Sequence, residues 1–324
     1  MFYRGRRLRK TPAVRSLVRE TRLHPSELVY PIFVQEGENI KEEISSLPGQ
    51  FRYSPDRLEE VVAEMRACGV RACLLFGIPA HKDACGSSAW EEYGVVQTAI
   101  RRLRSLDSEL YIIADVCMCE YTSHGHCGVL GAHGEVLNDE TLPHLAQIAL
   151  SYARAGVDMV APSDMMDGHI AALREALDGE GFYDLPIMGY SAKYASSFYG
   201  PFRQAAGSAP SFGDRKAYQM DYANANEAMR EMQADWDEGA DILMVKPAMA
   251  YLDILRMAAD RFDAPLAAYQ VSGEYAMLKH AVAEGLMHPD VMNESLIAIK
   301  RAGASVIITY HALDYARAWK EYQG

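Results

Sequence analysis

The sequence lacks the features that mark membrane proteins and disulfide-linked secreted proteins. Within its 324 residues no apolar run approaches the roughly 20 residues that a membrane helix needs, and no segment is of low complexity. The first residues, Met-Phe-Tyr-Arg-Gly-Arg-Arg-Leu-Arg-Lys, contain no apolar stretch like that of a signal peptide. Six cysteines in so long a chain favour metal or thiol chemistry in a reducing compartment. We therefore expect a cytoplasmic protein without a membrane partner.

Basic residues are concentrated at the N-terminus and scarce relative to acids elsewhere. Residues 1–22 carry eight basic residues against Glu20, a balance of +7, so the remainder of a chain with net charge −12 carries −19. An acidic body repels phosphate, and we expect no nucleic-acid partner. An N-terminal basic arm at 1–24 that docks on the acidic body of a second copy of the chain would account for both the positive and the negative region. We therefore expect a homo-oligomer, with a solvated tail as the simpler alternative.

The composition, 49% hydrophobic and 23% charged, suits a chain with a large core. Eight short apolar runs alternate with amphipathic helical patterns. The runs lie at 29–33, 72–76, 111–116, 159–161, 186–190, 242–245, 266–269 and 306–309, and the helical patterns at 56–67, 92–106, 141–155, 170–177, 224–238, 252–262, 274–284 and 313–322. This alternation predicts an α/β fold, a (β/α)8 TIM barrel over 25–324 with an extended N-terminal arm. A doubly wound open sheet is the alternative.

Four glycines repeat one local pattern that supports the barrel. Gly69, Gly156, Gly239 and Gly303 each follow a helical pattern and directly precede an apolar run. A glycine in this place ends a helix in the left-handed conformation and turns the chain into the next strand. The pattern precedes every second predicted strand, as expected for a repeated strand–helix unit.

Two of the apolar runs end in a lysine. Asp-Ile-Leu-Met-Val-Lys-Pro places Lys246 at the end of one run, and Leu-Pro-Ile-Met-Gly-Tyr-Ser-Ala-Lys places Lys193 at the end of another. An ammonium in apolar surroundings loses hydration, which favours the neutral, nucleophilic amine. Either lysine alone could extend to solvent instead. The occurrence of two favours a pair of reactive amines.

In a barrel of this kind the active site lies at the carboxyl ends of the strands. The residues that the predicted strands deliver to that rim include acids, thiols and hydroxyls. They are Phe76, Asp115, Cys117, Cys119, Ser163, Asp164, Lys193, Lys246, Ser272 and Tyr310.

Three thiols cluster in one glycine-bearing loop after the third predicted strand. They are Cys117, Cys119 and Cys127. Thiolates select zinc among the common divalent ions, and three protein ligands with an open fourth position indicate a Lewis-acidic site. His124 or His126 could complete the coordination or support the ligands from outside. The roles of both histidines and of Cys85 stay open.

The segment 195–220 is rich in glycine, serine and alanine and follows Lys193. A long loop of this kind over a barrel mouth is a candidate lid. Arg203 and Arg215 stand near its two ends, and guanidinium groups suit the capture of carboxylates. A solvated loop with incidental charge is the alternative.

Together these motifs resemble the porphobilinogen synthase (5-aminolevulinate dehydratase) family. The resemblance rests on Met-Gly-Tyr-Ser-Ala-Lys193, Phe-Tyr-Gly-Pro-Phe-Arg203, Met-Val-Lys246-Pro, Val-Ser272-Gly-Glu-Tyr and the three-cysteine loop. It runs from the basic arm to the final strand. The resemblance implies a lyase (hydro-lyase) on a TIM barrel, usually a homo-octamer. Such an enzyme condenses two 5-aminolevulinate molecules into porphobilinogen with loss of water, in tetrapyrrole (haem) biosynthesis.

The resemblance also implies roles for individual residues. Lys246 would form a Schiff base with one substrate molecule, and Lys193 would bind the other. The implied substrate-binding residues are Ser272 and Tyr310 for the first carboxylate, Arg203, Arg215 and Gln219 for the second, Asp115 and Ser163 near the second amino group, and Phe76 and Tyr199 as the apolar wall. Cys117, Cys119 and Cys127 match the zinc-using members, and Glu231 matches a position that binds an allosteric Mg²⁺ in some members.

Electrostatics is consistent with this reading. Two ammonium groups roughly 6 Å apart at an effective dielectric of ~20 repel by about 3 kcal/mol, which favours one neutral amine. Two alternatives remain at this stage. One is a lysine-dependent aldolase, which needs one imine lysine and no metal. The other is a non-enzymatic, zinc-holding interaction protein.

Overall fold

The computed structural model describes residues 2–323, which form a closed parallel barrel surrounded by helices. The strands are β1 (Leu28–Gln35), β2 (Lys41–Glu43), β3 (Phe51–Tyr53), β4 (Ala72–Ile78), β5 (Tyr111–Val116), β6 (Met159–Pro162), β7 (Met188–Lys193), β8 (Ile242–Lys246), β9 (Leu266–Gln270) and β10 (Val306–Thr309). The helices are α1 (Pro12–Leu17), α2 (Leu58–Cys68), α3 (Val95–Leu106), α4 (Asn138–Ala155), α5 (His169–Gly179), α6 (Gly200–Ala205), α7 (Asn226–Asp237), α8 (Leu252–Arg261), α9 (Ser272–Ala283), α10 (Val291–Ala302) and α11 (Ala312–Gln323).

Eight of the strands pair in parallel in the spatial order β6-β5-β4-β1-β10-β9-β8-β7. A parallel bridge between Val160 in β6 and Ile187, just before β7, joins the two ends of this row. The predicted (β/α)8 barrel is therefore confirmed, and the open doubly wound sheet is excluded. Strands covered by helices on one face and by barrel core on the other are buried on both faces, which explains their continuous apolar sequence.

The glycines predicted to end helices adopt the conformation that the prediction requires. The φ angles of Gly69, Gly156, Gly239 and Gly303 are 85°, 93°, 103° and 131°. At Gly69 the chain returns two backbone hydrogen bonds to Met65 and Arg66, which satisfies the last carbonyls of α2. Each of these turns delivers the chain into a barrel strand at the bottom of the molecule, away from the strand carboxyl ends.

Side chains of the barrel strands alternate between two cores. The residues that point outward pack under the helices, as Ile32, Leu75 and Ala114 do. The residues that point inward form a second core that is rich in aromatic rings. It includes Phe33, Phe76, Tyr190, Tyr199, Tyr269 and Tyr310. The inner core fills the barrel and forms the floor beneath the strand carboxyl ends.

Three features differ from the sequence-based expectation. The hairpin of β2 and β3 and the helices α1, α6 and α10 have no counterpart in the predicted elements. The fifth predicted strand, 186–190, lies at Met188–Lys193 instead, because its polar end pairs with β8. A register irregularity between Gly189 and Ala192 accompanies this pairing. Lys193 and Lys246 are thus the last residues of their strands.

The N-terminal arm lies outside the barrel core. Its short helices, Gly5–Arg9 and α1, contain no buried residue, and Tyr3 and Leu17 are largely exposed. The predicted role of residues 1–24 in subunit contacts stays a prediction. None of the helices described is both long and apolar enough to cross a membrane.

Candidate active site

The two lysines stand side by side at the carboxyl ends of neighbouring strands. Lys193 ends β7 and Lys246 ends β8, and they are direct register partners in the parallel pairing. Both side chains are buried, with 4% and 5% of their surface exposed. Neither lysine therefore extends to solvent. The prediction that the two amines face one interior space is supported by this geometry.

Lys246 lies among aromatic rings. Its Nζ atom is 4.4 Å from the ring centre of Tyr269, 4.9 Å from that of Tyr190 and 5.3 Å from that of Phe202. Burial, together with the positive charge of Lys193, lowers the pKa of Lys246 to about 7, against the opposing effect of nearby acids. A substantial fraction of Lys246 is therefore the neutral amine near neutral pH.

Lys193 lies in polar surroundings. Its Nζ donates a hydrogen bond to the backbone carbonyl of Ser163. The Ser163 hydroxyl in turn donates to Asp115 Oδ2 at 2.9 Å. Burial and the charge of Glu120 raise the pKa of Asp115 to about 7, although both lysines act to lower it. Asp115 can consequently hold or release a proton near neutral pH.

The three predicted thiols meet in space. The Sγ atoms of Cys117, Cys119 and Cys127 all lie within 4.8 Å of one another, and each side chain is at least 97% buried. The distance from Cys117 Sγ to Cys119 Sγ is 3.4 Å. Burial raises the pKa of the Cys117 thiol, so three thiolates form here only with a cation that compensates their charge. The donor set suits a soft divalent ion such as Zn²⁺.

The two histidines of the cysteine loop use their ring nitrogens elsewhere. His124 bonds the Ala84 carbonyl through Nε2 at 3.1 Å and accepts from the His126 amide through Nδ1. His126 contacts the Phe212 carbonyl through Nε2 and the Tyr218 hydroxyl through Nδ1, each at 3.1 Å. Neither ring completes the thiol cluster. His126 instead supports Tyr218, whose ring packs against the three cysteines.

Glu120 is a buried acid that the sequence reasoning did not single out. Its carboxylate accepts from Cys119 Sγ at 3.2 Å, and it forms a second close group with Asp115 and Cys117. The signal was present, because the acid directly follows a predicted metal ligand. Its burial, with 3% of its surface exposed, depends on how the loop folds back over the strand ends.

A cavity opens between the lysines and the thiol cluster. Eight residues nominated from the sequence line it, together with two that were not. The lining consists of Phe76, Cys119, Glu120, Ser163, Lys193, Tyr199, Phe202, Arg203, Arg215 and Lys246. Amines, thiols, guanidinium groups and aromatic rings therefore share one enclosed space.

The segment 195–220 closes over this cavity. Its helix α6 is held at its carboxyl end by Arg52, which donates to the carbonyls of Gln204 and Ala205, and by Lys82, which donates to that of Gly207 at 2.7 Å. These contacts support the prediction of a lid. They place cationic side chains at the carbonyl end of a short helix, where such charges are favourable.

Several polar atoms of the segment 195–220 are buried without a partner among the described residues. They are Arg203 Nε, Ser208 Oγ, Arg215 Nε, and both polar side-chain atoms of Gln219. Burial and the charge of Arg215 lower the pKa of Arg203, whereas the neighbouring Cys127 and Cys119 raise the pKa of Arg215 against the effect of burial. Buried donors rarely stay unpaired in the working state of a protein. The arrangement fits a bound anion.

Like Asp115, Cys117, Cys127 and Gln219, three further nominated residues do not line the cavity. Ser272 Oγ accepts from the Phe202 amide at 2.9 Å, and Tyr310 OH lies 3.1 Å from Tyr269 OH in the inner core. Glu231 lies on α7, outside the barrel, where burial and the charge of Asp167 raise its pKa. Ser272 and Tyr310 thus adjoin the Lys246 side of the site, whereas Glu231 belongs to a separate acidic surface.

The fold and the site together define a class of protein. A closed (β/α)8 barrel carries, at the active-site end of its strands, a buried pair of lysines beside a cluster of three thiols. Such a constellation is typical of enzymes that form imines and use a soft metal ion.

Comparison with known proteins gives the family. The family model for delta-aminolevulinic acid dehydratase matches residues 2–318. The delta-aminolevulinic acid dehydratase of Halalkalibacterium halodurans is 53% identical over 317 residues, which cover 98% of this chain and 96% of that protein. The protein of the same name from Bacillus subtilis is 52% identical and covers 98% of each chain. The chain therefore belongs to the delta-aminolevulinic acid dehydratase family.

A solved structure agrees in fold along nearly the whole chain. The delta-aminolevulinic acid dehydratase (porphobilinogen synthase) of Toxoplasma gondii superposes with a TM-score of 0.96 at 44% identity, and covers 98% of this chain and 92% of that one. That structure contains the reaction product porphobilinogen. The resemblance stated from the motifs is confirmed at the level of the family, the fold and the enzyme class.

Proposed function

We propose that this chain is a porphobilinogen synthase, which condenses two molecules of 5-aminolevulinate to porphobilinogen with loss of water. The observation that supports this most directly is the pair of buried amines in register on β7 and β8, next to three thiols. Family membership and the product in the related structure support the same reaction. An aldolase would need only one of the two amines and no thiol cluster.

Lys246 is the amine that forms the Schiff base with the first molecule. A pKa of about 7 leaves it partly neutral under physiological conditions, so its lone pair can attack the ketone carbon. Loss of the carbonyl oxygen as water gives an imine. The imine withdraws electrons and acidifies the adjacent carbon, which can then form a new bond. The rings of Tyr190, Tyr199 and Tyr269 surround the nitrogen and exclude bulk water.

Lys193 binds the second molecule through a second imine, formed by its amine and the ketone of that molecule with loss of water. Its hydrogen bond to the Ser163 carbonyl orients the amine toward the cavity, and Ser163 and Asp115 lie beside it. With a pKa of about 7, Asp115 accepts or returns a proton at the amino group of that molecule. The two lysines thus hold the two substrate molecules within one enclosed space.

The carboxylates of the two molecules bind at opposite sides of the cavity. Arg203, Arg215 and Gln219 offer the unpartnered donors of the lid to the second carboxylate. Ser272 and Tyr310 receive the first carboxylate after exchanging their present hydrogen bonds. The apolar wall between the two sites is formed by Phe76 and Tyr199.

Zn²⁺ is the metal ion that the cysteine cluster suits, with Cys117, Cys119 and Cys127 as ligands. When bound, it supplies Lewis acidity toward a carbonyl group in the cavity. Glu231, with Asp167 and Asp235 near it, is a candidate ligand for an allosteric Mg²⁺. The pKa of the partly buried Glu231 is raised by burial and by these neighbouring acids, which is consistent with a need for positive charge there.

The enzyme works as a cytoplasmic homo-oligomer, an octamer by resemblance to the family, in haem and tetrapyrrole biosynthesis. The exposed basic arm at 1–24 docks on neighbouring copies of the acidic barrel, and the segment 195–220 acts as the lid. Neither assignment requires a nucleic acid or a membrane.

The test combines product formation with chemical trapping. Purified protein given 5-aminolevulinate should form a pyrrole, and borohydride added with substrate should attach it covalently to Lys246. Loss of turnover on chelation, with recovery on addition of Zn²⁺, separates the synthase from a metal-free aldolase. A protein that forms no pyrrole and traps no substrate would be the zinc-holding interaction protein instead.

A further inference from the structure

A buried group of charges lies behind the Lys193 side of the site. His169, the first residue of α5, stands between Asp164 and Asp235. The distances are 3.0 Å from Nδ1 to Asp164 Oδ2 and 3.5 Å from Nε2 to Asp235 Oδ1. Exposed fractions are 3%, 0% and 8% for His169, Asp164 and Asp235. None of the three residues lines the cavity, and the reaction proposed above uses none of them.

One end of the group fixes the turn that follows β6. Asp164 Oδ1 accepts from the Met166 amide at 2.7 Å, and Met165 takes a positive φ of 69°. Asp164 also bonds the His169 ring. The turn therefore holds an unfavourable backbone conformation that these two hydrogen bonds stabilise. The residue immediately before the turn is Ser163.

Ser163 connects this turn to the chemistry of the site. Its carbonyl accepts from Lys193 Nζ, and its hydroxyl donates to Asp115. A small displacement of the turn would move both groups at once. Lys246, by contrast, is in contact with aromatic rings of the inner core, and no hydrogen bond among the described residues joins its side chain to the turn.

The other end of the group rests on the strand that carries Lys193. Asp235, on α7, lies over Gly189 of β7, where a Cβ atom would come 2.7 Å from Asp235 Oδ2. Only glycine leaves room for this close approach. Gly189 is also where the pairing with β8 becomes irregular. His169 therefore joins the turn after β6 to the helix packed on β7.

The arrangement of charges in this group indicates that it acts as a rigid support. Two carboxylates flank one imidazole, and they raise the pKa of His169 well above its ordinary value despite the opposing effect of burial. Buried ion pairs contribute little net stability compared with apolar packing, but removal of one member leaves an uncompensated charge. The group is better explained by the position that it imposes than by the stability that it adds.

We propose that His169 is a positioning residue, which through Asp164 and Asp235 holds the Ser163 turn so that Lys193 and Asp115 face the second substrate molecule. This rests on the proposed function, since it assigns separate tasks to the two lysines. It predicts that loss of His169 damages the Lys193 step and leaves imine formation at Lys246 intact.

The experiment compares His169→Gln with wild type by mass spectrometry after borohydride trapping with 5-aminolevulinate. We expect kcat to fall about 10- to 100-fold, since a misplacement of about 1 Å can have effects of that size. We expect substrate attached to Lys193 to fall at least about fivefold relative to Lys246, whose own adduct changes less than about twofold. Asp235→Asn, which keeps the shape of the side chain, should show the same pattern more weakly.

Arg174→Gln is the matched control. Arg174 lies on the same helix, α5, and bonds the carbonyls of Phe182 and Leu185 on the opposite side from the turn. It should leave the ratio of adducts unchanged, and thermal melting would show that each variant is folded. An unchanged ratio in His169→Gln, an equal loss at both lysines, or the same pattern in Arg174→Gln would overturn the proposal. Absence of adducts at both lysines in the wild-type protein would instead overturn the proposed function, and the positioning role with it.

Discussion

Lys193 and Lys246 occupy equivalent places in the barrel yet have different surroundings. Each ends a strand, each is buried, and the two are register partners. Lys193 donates to a backbone carbonyl beside two polar side chains, whereas Lys246 is enclosed by aromatic rings. At Lys246, burial together with a neighbouring like charge favours the neutral amine.

The contrast shows that position in the sheet does not determine the role of a lysine. Aromatic rings can attract an ammonium, but at Lys246 the effect of burial is larger, and its pKa falls to about 7. The neighbouring lysine contributes to that fall. The pair is therefore interdependent, and each of the following predictions separates one member from the other.

Replacement of the imine lysine should have the largest effect. Lys246→Met keeps the length of the side chain but removes the nucleophile, and we expect turnover to fall by at least about 10⁴-fold. Borohydride should then trap no substrate at this position. Lys216→Met, at an exposed lysine of the lid segment, is the control and should behave as wild type. A Lys246→Met protein with full turnover would refute the assignment.

Removal of the metal should impair the later steps of the reaction without preventing imine formation at Lys246. Chelation should lower turnover about 10²- to 10³-fold, about 3–4 kcal/mol, while the Lys246 adduct still forms. Cys127→Ser should lose bound zinc as measured by elemental analysis, and Cys85→Ser, which alters an exposed thiol, should retain it. Unchanged zinc content in Cys127→Ser would show that the thiol cluster is not the metal site.

The pH dependence of trapping should reveal the coupling between the lysines. The protonated amine is unreactive, so the initial rate of trapping at Lys246 should rise through about pH 7, well below the ~10.4 of an ordinary lysine. Lys193→Met removes a positive charge that lowers this pKa, and the midpoint should move to higher pH. A midpoint that stays in place would mean that burial alone sets the reactivity of Lys246.

The smallest effect is expected for a substitution that weakens a contact of the lid, to which the two lysines should respond alike. Lys82→Met removes the bond to the lid at Gly207, about 1 kcal/mol, so KM should rise roughly fivefold with kcat nearly unchanged. Both adducts should weaken together because the lid covers the whole cavity. Lys279→Met, which breaks an ion pair between α9 and Asp314 of α11, should change neither constant. A selective effect on one lysine would argue against a shared lid.

Local sequence rules predicted much of the scaffold. The eight barrel strands and the glycine turns follow from short-range patterns, and the structure bears them out except that the fifth strand lies at Met188–Lys193. α10 was missed although Leu296, Ile299 and Ala302 carry a helical period, because one helix for each strand was expected. The β2–β3 hairpin was missed because its three-residue strands are too short to show alternation.

Some residues of the candidate site could be predicted from the sequence, and others could not. Cys117, Cys119 and Cys127 could be grouped because metal ligands recur within one loop. Glu120 was not singled out, since an acid in a loop is ordinarily solvated and only the folded loop buries it. The roles of His124 and His126 could not be decided from the sequence either. Their partners are carbonyl and hydroxyl groups that are distant along the chain and that no sequence motif identifies.

By itself the sequence determined the barrel, the family and the chemical groups at the rim, because these depend on periodicity and on the identity of residues at strand ends. Only the tertiary structure decided which amine has a lowered pKa and which donates a hydrogen bond. It also decided which donors of the lid stay unpaired and how His169 reaches two acids from different elements. Such properties depend on burial and on distances between groups remote in the chain, and no local pattern specifies them.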